Sequence, residues 1–296
     1  MPIGQKLLNL REYHRPAAVG GDLQDALGLL ARPDIHTAPL AGGDALVGSG
    51  NRSVEAVVDL QGLDLDLLEL TTHPHAVRIG AMATRSALVD WPRQLTGSDG
   101  LSPDEQSLLT ILATAARRWG GNVQRNRATA GGAVVLAASN DALVAALLVA
   151  GATVTLQAAS GAATLPLVDF LPQRNALLSV PMVVTEITVP VMTGTYALET
   201  VARTPSNAPI VLAAAYVGAA ETHLVLGGVA PQPLLVTLDR PLTAESIPGV
   251  VRSVVEGLSP RGDVRGSAEY RRAMAAVLAE RALSDAWGRE SRQGVR

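Results

Sequence analysis

Two glycine pairs mark the places where this chain has the residue types to meet a ligand. Ala41-Gly42-Gly43-Asp44-Ala45 and Thr129-Ala130-Gly131-Gly132-Ala133 each follow an extended segment and lead into small-residue sequence. Paired glycines let the backbone approach a ligand closely and leave N–H groups free to donate to phosphate oxygens. Two such loops can close on one pyrophosphate, or each can be a plain turn. Neither conforms to the G-x-G-x-x-G or G-x-x-x-x-G-K-S/T phosphate-binding patterns, which are absent from the chain.

Other reactive residue types are sparse. The five histidines are scattered; only His73 and His75 are close, flanking Pro74 in a turn with no carboxylate nearby in sequence, which reads as a solvated hairpin. There is no G-x-S-x-G elbow or other nucleophile motif. Arg117, Arg118, Arg125 and Arg127 form a local basic group, either a solvated helix end or an anion-facing patch. The expectation is an anion site of nucleotide size, with no catalytic side chain and no metal set of its own.

The elements that must position these loops follow from periodicity. Leu23, Ala26, Leu27 and Leu30 share one helical face, with Asp22 as N-cap. Strands are expected at APLAG before the first glycine pair, over 54–60, and over 76–83. Helices follow over 85–94 and 103–119. A further helix over 141–149, ended by Gly151, comes after the second glycine pair. ATVTLQAA and MVVTEITVPV read as strands around a loop that contains Asp169-Phe170-Leu171. This alternation indicates α/β organisation up to about residue 190, with a boundary at Met192–Thr195. Beyond it come a strand over 196–203, an apolar run over 209–217, a strand ending in LGGVAPQP, and helices over 245–257 and 267–287, an α+β pattern closed by a frayed SRQGVR tail.

Composition narrows the class. Of 296 residues, 48% are hydrophobic and only 3% aromatic, so the core must be built mainly from Ala, Val and Leu. A net charge of −3 with interspersed signs leaves no footprint for nucleic acid or an anionic membrane. With no cysteine, the chain has no disulfide and no thiolate-held zinc or iron–sulfur cluster. The first residues lack the apolar run of a secretory signal, and the longest apolar run, 142–152, is too short to span a bilayer. A soluble, cytoplasmic protein without membrane insertion is expected.

Read in order, the segments EYHRPAAVGGDLQDALGLLA, PLAGGDALV, AVVDLQGLDLDLLEL, VRIGAMATRSAL, RNRATAGG, LETVARTPSNAPIVLAAAYV, LVLGGVAPQP and EYRRAMAAVLAERAL resemble the FAD-binding medium subunit of the molybdenum hydroxylases. That family includes the carbon monoxide dehydrogenase flavoprotein and the flavin domain of xanthine dehydrogenase. The resemblance runs from about Glu12 to Ala286. It implies an α+β architecture: a two-subdomain FAD-binding fold of the vanillyl-alcohol-oxidase/PCMH type over 1–192 (subdomains about 1–62 and 63–192), a smaller α+β C-terminal domain over 193–290, and a tail over 291–296.

The resemblance also implies a site. Ala41, Gly42, Gly43, Asp44, Ala45 and Leu46 would wrap the FAD pyrophosphate from one side; Thr129, Gly131 and Gly132 would donate backbone and hydroxyl hydrogen bonds from the other. Ala133 follows the second pair, Asp141 would hold a polar part of the nucleotide half, and Val183 and Val184 would pack near the flavin. The Arg125-Asn126 pair would brace the second loop. The sequence departs from the family at Asp44, where His or Thr is more frequent, at Ala133 in place of Asn, at Thr200 in place of Lys, and in a 133–141 loop about one residue short and without its usual Pro. The implied function is an electron-transfer flavoprotein, passing electrons from 2Fe-2S clusters on a small partner through FAD to an external acceptor. The molybdenum cofactor would reside on a large partner, in a dimer of heterotrimers. The departures motivate an alternative, a structural subunit of the same assembly that has lost or weakened FAD binding.

Overall fold

The computed structural model describes residues 10–44, 46, 53–95, 100–204, 206–238 and 242–293. Within them the chain forms three sheets. The first is parallel, in the order β1 (Glu12–His14), β3 (Ala56–Asp59), β2 (Thr37–Leu40). All four residues of the central β3 are buried, as befits the middle strand of a covered parallel sheet. Helix α1 (Leu23–Leu30) connects β1 to β2 and starts at the expected cap. Asp22 accepts from the amides of Gln24 and Asp25 at 2.7 and 3.1 Å, and the Asp25 carboxylate accepts from Asp22 N at 3.1 Å. Ala26, Leu27 and Leu30 enter a small core with Val58, Leu60, Met82 and Val183. Met82 and Val183 come from the second sheet region, so α1 is the joint between the two.

The second sheet is antiparallel, in the order β4 (Leu68–Thr72), β5 (His75–Gly80), β8 (Met182–Pro190), β6 (Thr153–Ala158), β7 (Gly161–Pro166). The helices α2 (Arg85–Leu95), α3 (Pro103–Arg117), α4 (Asn122–Arg125), α5 (Ala130–Leu136) and α6 (Ala142–Val149) lie between β5 and β6 in the chain, and α7 (Leu167–Leu177) between β7 and β8. Thr155 pairs with Glu186 but Leu156 with Val184, which leaves Thr185 as a bulge in β8. Before the bulge the strand buries both faces, Val183 in the small core against α1 and Val184 in the large one.

The third sheet is antiparallel, in the order β12 (Leu234–Leu238), β11 (Thr222–Gly227), β10 (Val211–Val217), β9 (Thr195–Val201), followed by α8 (Ile247–Glu256) and α9 (Ala268–Gln293). Every residue of β10 is buried. Its alternation sorts them: Leu212, Ala214 and Tyr216 join the large core shared with α3 and α6, while Val211, Ala213, Ala215 and Val217 pack against α8 and α9. That two-sided burial accounts for the unbroken apolar run in the sequence. Helix α6 is buried along its whole length between α3 and the strands β10 and β11.

The α+β reading holds, with four corrections. Only the three-stranded sheet is parallel; β8 returns to pair antiparallel with both β5 and β6, so strand–helix alternation here did not mean a parallel sheet. Asp169, Phe170 and Leu171 lie in α7, with Phe170 and Leu171 buried; Pro172 inside the helix had hidden its period. His75 does have a carboxylate partner, Glu105 at 2.8 Å, from a distant helix. The hydrogen bond from His75 holds the Glu105 carboxyl below its ordinary range. The C-terminal helix continues through Ser291 and Arg292, and 294–296 lie outside the described residues. No helix among the described residues is long and apolar enough to cross a membrane.

Because α6 is enclosed on all sides, Leu147→Ala should lower the unfolding free energy by about 2–5 kcal/mol, read by urea titration. A loss below about 1 kcal/mol would show that the surroundings collapse onto the site.

Candidate cofactor-binding site

The first and second sheets leave a cleft of about 800 Å³ between them. That is at the upper end for small-molecule and cofactor sites. Ala41, Gly42, Gly43, Asp44 and Leu46 line it from the end of β2, and Thr129, Gly131, Gly132 and Ala133 from the start of α5. Asp141, Val183 and Val184 line it as well, while Ala45 lies outside the described residues. The two glycine loops therefore do converge.

They converge by touching one another. A Cβ on Gly42 would stand 1.9 Å from the carbonyl oxygen of Arg127, so only glycine lets the first loop abut the lead-in to the second. Gly43 follows with φ of 81°, in the left-handed region. A Cβ on Gly131 would stand 2.7 Å from that of Ala81, because α5 is stitched to the chain leaving β5. Ala130 N donates to Ala83 O at 2.9 Å, Gly131 N to Ala81 O at 2.8 Å, and Arg85 N to Ala128 O at 2.9 Å.

This stitching corrects one expectation. Gly131 N is committed to Ala81, and Gly132 N donates to the Thr129 hydroxyl at 3.1 Å, with Thr129 as N-cap of α5. The second loop has no spare amide at either glycine, although the Thr129 hydroxyl keeps its own proton to donate. Among the described residues, the amides of Gly42 and Gly43 donate to no protein oxygen. Among the described residues, then, the unpaired glycine amides at the cleft are those of the first loop, and on the second loop the Thr129 amide has no protein acceptor.

Asp141 also differs from expectation. It is fully buried, and its carboxylate accepts from Arg85 Nη1 at 3.1 Å and Nη2 at 2.5 Å and from Leu143 N at 3.0 Å, capping α6. These bonds engage both oxygens and tie the residue to Arg85 and to the start of α6. Arg85 is 1% exposed, and its guanidinium lies over the Trp119 ring, 4.5 Å from the centroid. Both residues line the cleft and both escaped the sequence reading. The available signals were an arginine at the end of an apolar strand and one of only three tryptophans. Of the Arg125-Asn126 pair, Asn126 accepts from Ser86 Oγ at 2.5 Å and ties α4 to α2, while Arg125 bonds back to Gly120 O.

The electrostatics are restrained. The two arginines lining the cleft are both paired, Arg85 with Asp141 and Arg32 with Glu12 at 2.7 Å. Among the described residues lining this cleft, a diphosphate would meet backbone amides and arginines already paired, with Asp44 beside it. Exposed Val135, Leu136 and Val180 supply apolar wall at the same cleft. A second cleft of about 560 Å³ adjoins it, sharing Gly42 and Thr129 and reaching Tyr13, Arg15, Asp59 and Arg127. There the Tyr13 hydroxyl donates to Asp59, which raises the phenol above its usual pKa.

Comparison with known proteins decides what this geometry belongs to. The family model for the FAD binding domain in molybdopterin dehydrogenase matches residues 9–192, and that for the CO dehydrogenase flavoprotein C-terminal domain matches 197–286. This chain belongs to the FAD-binding medium subunits of the molybdenum hydroxylases. As a member of that family it is an oxidoreductase component. It is 28% identical over 295 residues to the carbon monoxide dehydrogenase medium chain of Hydrogenophaga pseudoflava, covering 94% of this chain and 97% of that one. It is 28% identical over 280 residues to the glyceraldehyde dehydrogenase medium chain of Sulfolobus acidocaldarius, covering 89% and 95%. Its fold superimposes with a TM-score of 0.78, at 25% identity, on a carbon monoxide dehydrogenase chain from Hydrogenophaga pseudoflava whose structure lacks the Mo-pyranopterin moiety, covering 96% and 99%.

Two substitutions test this account of the medium subunit's cleft. Gly42→Ala should force the loops apart and lower the thermal midpoint by several degrees, since the obstacle is backbone; an unchanged midpoint would mean that the loops part freely. Arg85→Ala should cost about 3–5 kcal/mol by stranding the buried Asp141 carboxylate. The double change Arg85→Leu with Asp141→Asn should recover much of that loss in chemical denaturation, and a double variant no better than the single would refute the pairing argument.

Proposed function

We propose that the chain binds FAD in the cleft between its first two sheets and serves as the electron-relay subunit of a cytoplasmic molybdenum hydroxylase complex. The observation that carries this reading is the meeting of two glycine loops at Gly42 on one cofactor-sized cleft, within the segment matched by the FAD-binding family. The residues present fit the cofactor on the first-loop side, where the Gly42 and Gly43 amides have no acceptor among the described residues and would donate to phosphate oxygens. In this reading Ala41, Gly42, Gly43, Asp44, Ala45 and Leu46 cradle the diphosphate. Thr129 offers its hydroxyl proton from the opposite wall, and Gly131, Gly132 and Ala133 shape that wall by contact. Val183 and Val184 give apolar cover, and Asp141 orients Arg85 and Trp119.

Bound FAD would supply the redox chemistry, accepting and releasing electrons singly or in pairs. The chain's own residues bind and orient it and keep water from its buried face, and none is required as a general base. The relatives named above are medium chains of dehydrogenases, and this supports a large molybdenum-cofactor partner and a small 2Fe-2S partner, assembled as a dimer of heterotrimers. The cysteine-free sequence supports placing the clusters on another chain. The proposed division is 1–192 for the FAD-binding domain, with subdomains about 1–62 and 63–192, and 193–290 for the C-terminal domain.

A second reading, a structural subunit with weakened FAD binding, is favoured by three features. Asp44 sits at the diphosphate, Ala133 offers no side-chain donor, and the Gly131 and Gly132 amides are used internally. One purification separates the two. The expected result is a yellow protein with a flavin spectrum, whose FAD affinity rises severalfold in Asp44→Thr. A colourless chain that takes up no added FAD would overturn the proposal, and a very large gain on combining Asp44→Thr with Ala133→Asn would favour the second reading.

A further inference from the structure

Neither cleft is lined by any described residue beyond Val184, yet the wall that carries Asp141 is gripped from behind by the C-terminal sheet. Residues 137–141 turn the chain from α5 into α6. Ala137 sits in left-handed backbone (φ 46°, ψ 44°), and Asp141 N donates to Ala138 O at 2.9 Å. The two residues in the middle of the turn bond outside it. Ser139 O accepts from Gly228 N at 3.0 Å, and Asn140 Nδ2 donates to Pro209 O at 2.5 Å. The fit leaves no slack, since a Cβ on Gly227 would lie 2.5 Å from Ser139 O.

The gripping loops are themselves fixed by one side chain. Arg271 of α9, 6% exposed, donates from Nη1 to Ile210 O at 2.8 Å and Gly228 O at 2.7 Å, and from Nη2 to Asp263 at 2.7 Å. A continuous bonded path therefore runs from α9 through the loops at Ile210 and Gly228 to the 137–141 turn. It continues through Asp141 to Arg85 and Trp119 in the cleft wall. A wall held in place before binding spares the ordering cost that a loose one would pay when the ligand arrives.

We infer that Asn140 is a positioning residue for the cofactor cleft, so that the C-terminal sheet sets FAD affinity through the 137–141 turn without touching the cofactor pocket. This rests on the reading of the cleft as the FAD site. Loss of the Asn140 hydrogen bond should raise the Kd for FAD roughly three- to tenfold.

The test uses the full chain stripped of flavin and titrated with FAD by flavin fluorescence, with amide exchange over 137–144 followed in the apo protein. Asn140→Ala and the near-isosteric Asn140→Asp both remove the donor. Arg272→Ala is the control, because it removes two hydrogen bonds to Leu258 O in the same C-terminal layer but away from the turn. The expected result is a higher Kd and faster exchange over 137–144 in both Asn140 variants. Arg272→Ala should lower the melting temperature and leave Kd and that exchange unchanged. The inference is overturned if the Asn140 variants bind FAD as the parent does, or if Arg272→Ala weakens FAD equally. Should the parent itself take up no FAD, the FAD assignment falls, and unchanged exchange in the Asn140 variants would independently overturn the grip on the turn.

Discussion

The buried pair between Arg85 and Asp141 is the constraint on which the cleft depends. It joins the first residue of α2 to the N-cap of α6, the helix around which the large core is built. A charge pair this deep is not a reliable source of stability, because desolvation offsets much of the attraction. Its value is directional. It fixes the angle between two helices and the turn before α6, and stacking on Trp119 fixes the guanidinium plane. The convergence of the two glycine loops then follows, since α5 is held by backbone bonds to residues 81–83, immediately before α2.

Several signals for the architecture were legible in the sequence. Asp22 announced the start of α1, and the apolar stripes of α1 and α3 matched buried faces. What stayed hidden has common physical causes. β7 is an edge strand with most of its residues exposed, so no alternation marks it. α7 was masked by an interior proline, and the antiparallel return of β8 depends on partners far along the chain.

At the site, the glycine loops were legible because few residue types can make such close approaches. Their division of labour was not. Whether an amide is free depends on the carbonyl that tertiary packing brings to it, and Ala81 lies far from Gly131 in sequence. Asp141 shows the same limit. An acid after the second loop was readable, but its arginine partner, which lies before α2–α4 in the chain, was not.

The insertion of β8 also has a consequence for how the chain is made. The inner edge of β5 from Ala76 to Gly80 finds its partners only at Glu186 to Pro190, and the same strand supplies Val183 and Val184 to two cores. During synthesis the nascent chain must therefore carry β5 with an open, apolar edge while all of α2–α7 emerges. Such an edge invites pairing with other chains. Residues 182–190 act as the clasp that closes this edge, while the face of α6 stays open until β10 and β11 follow.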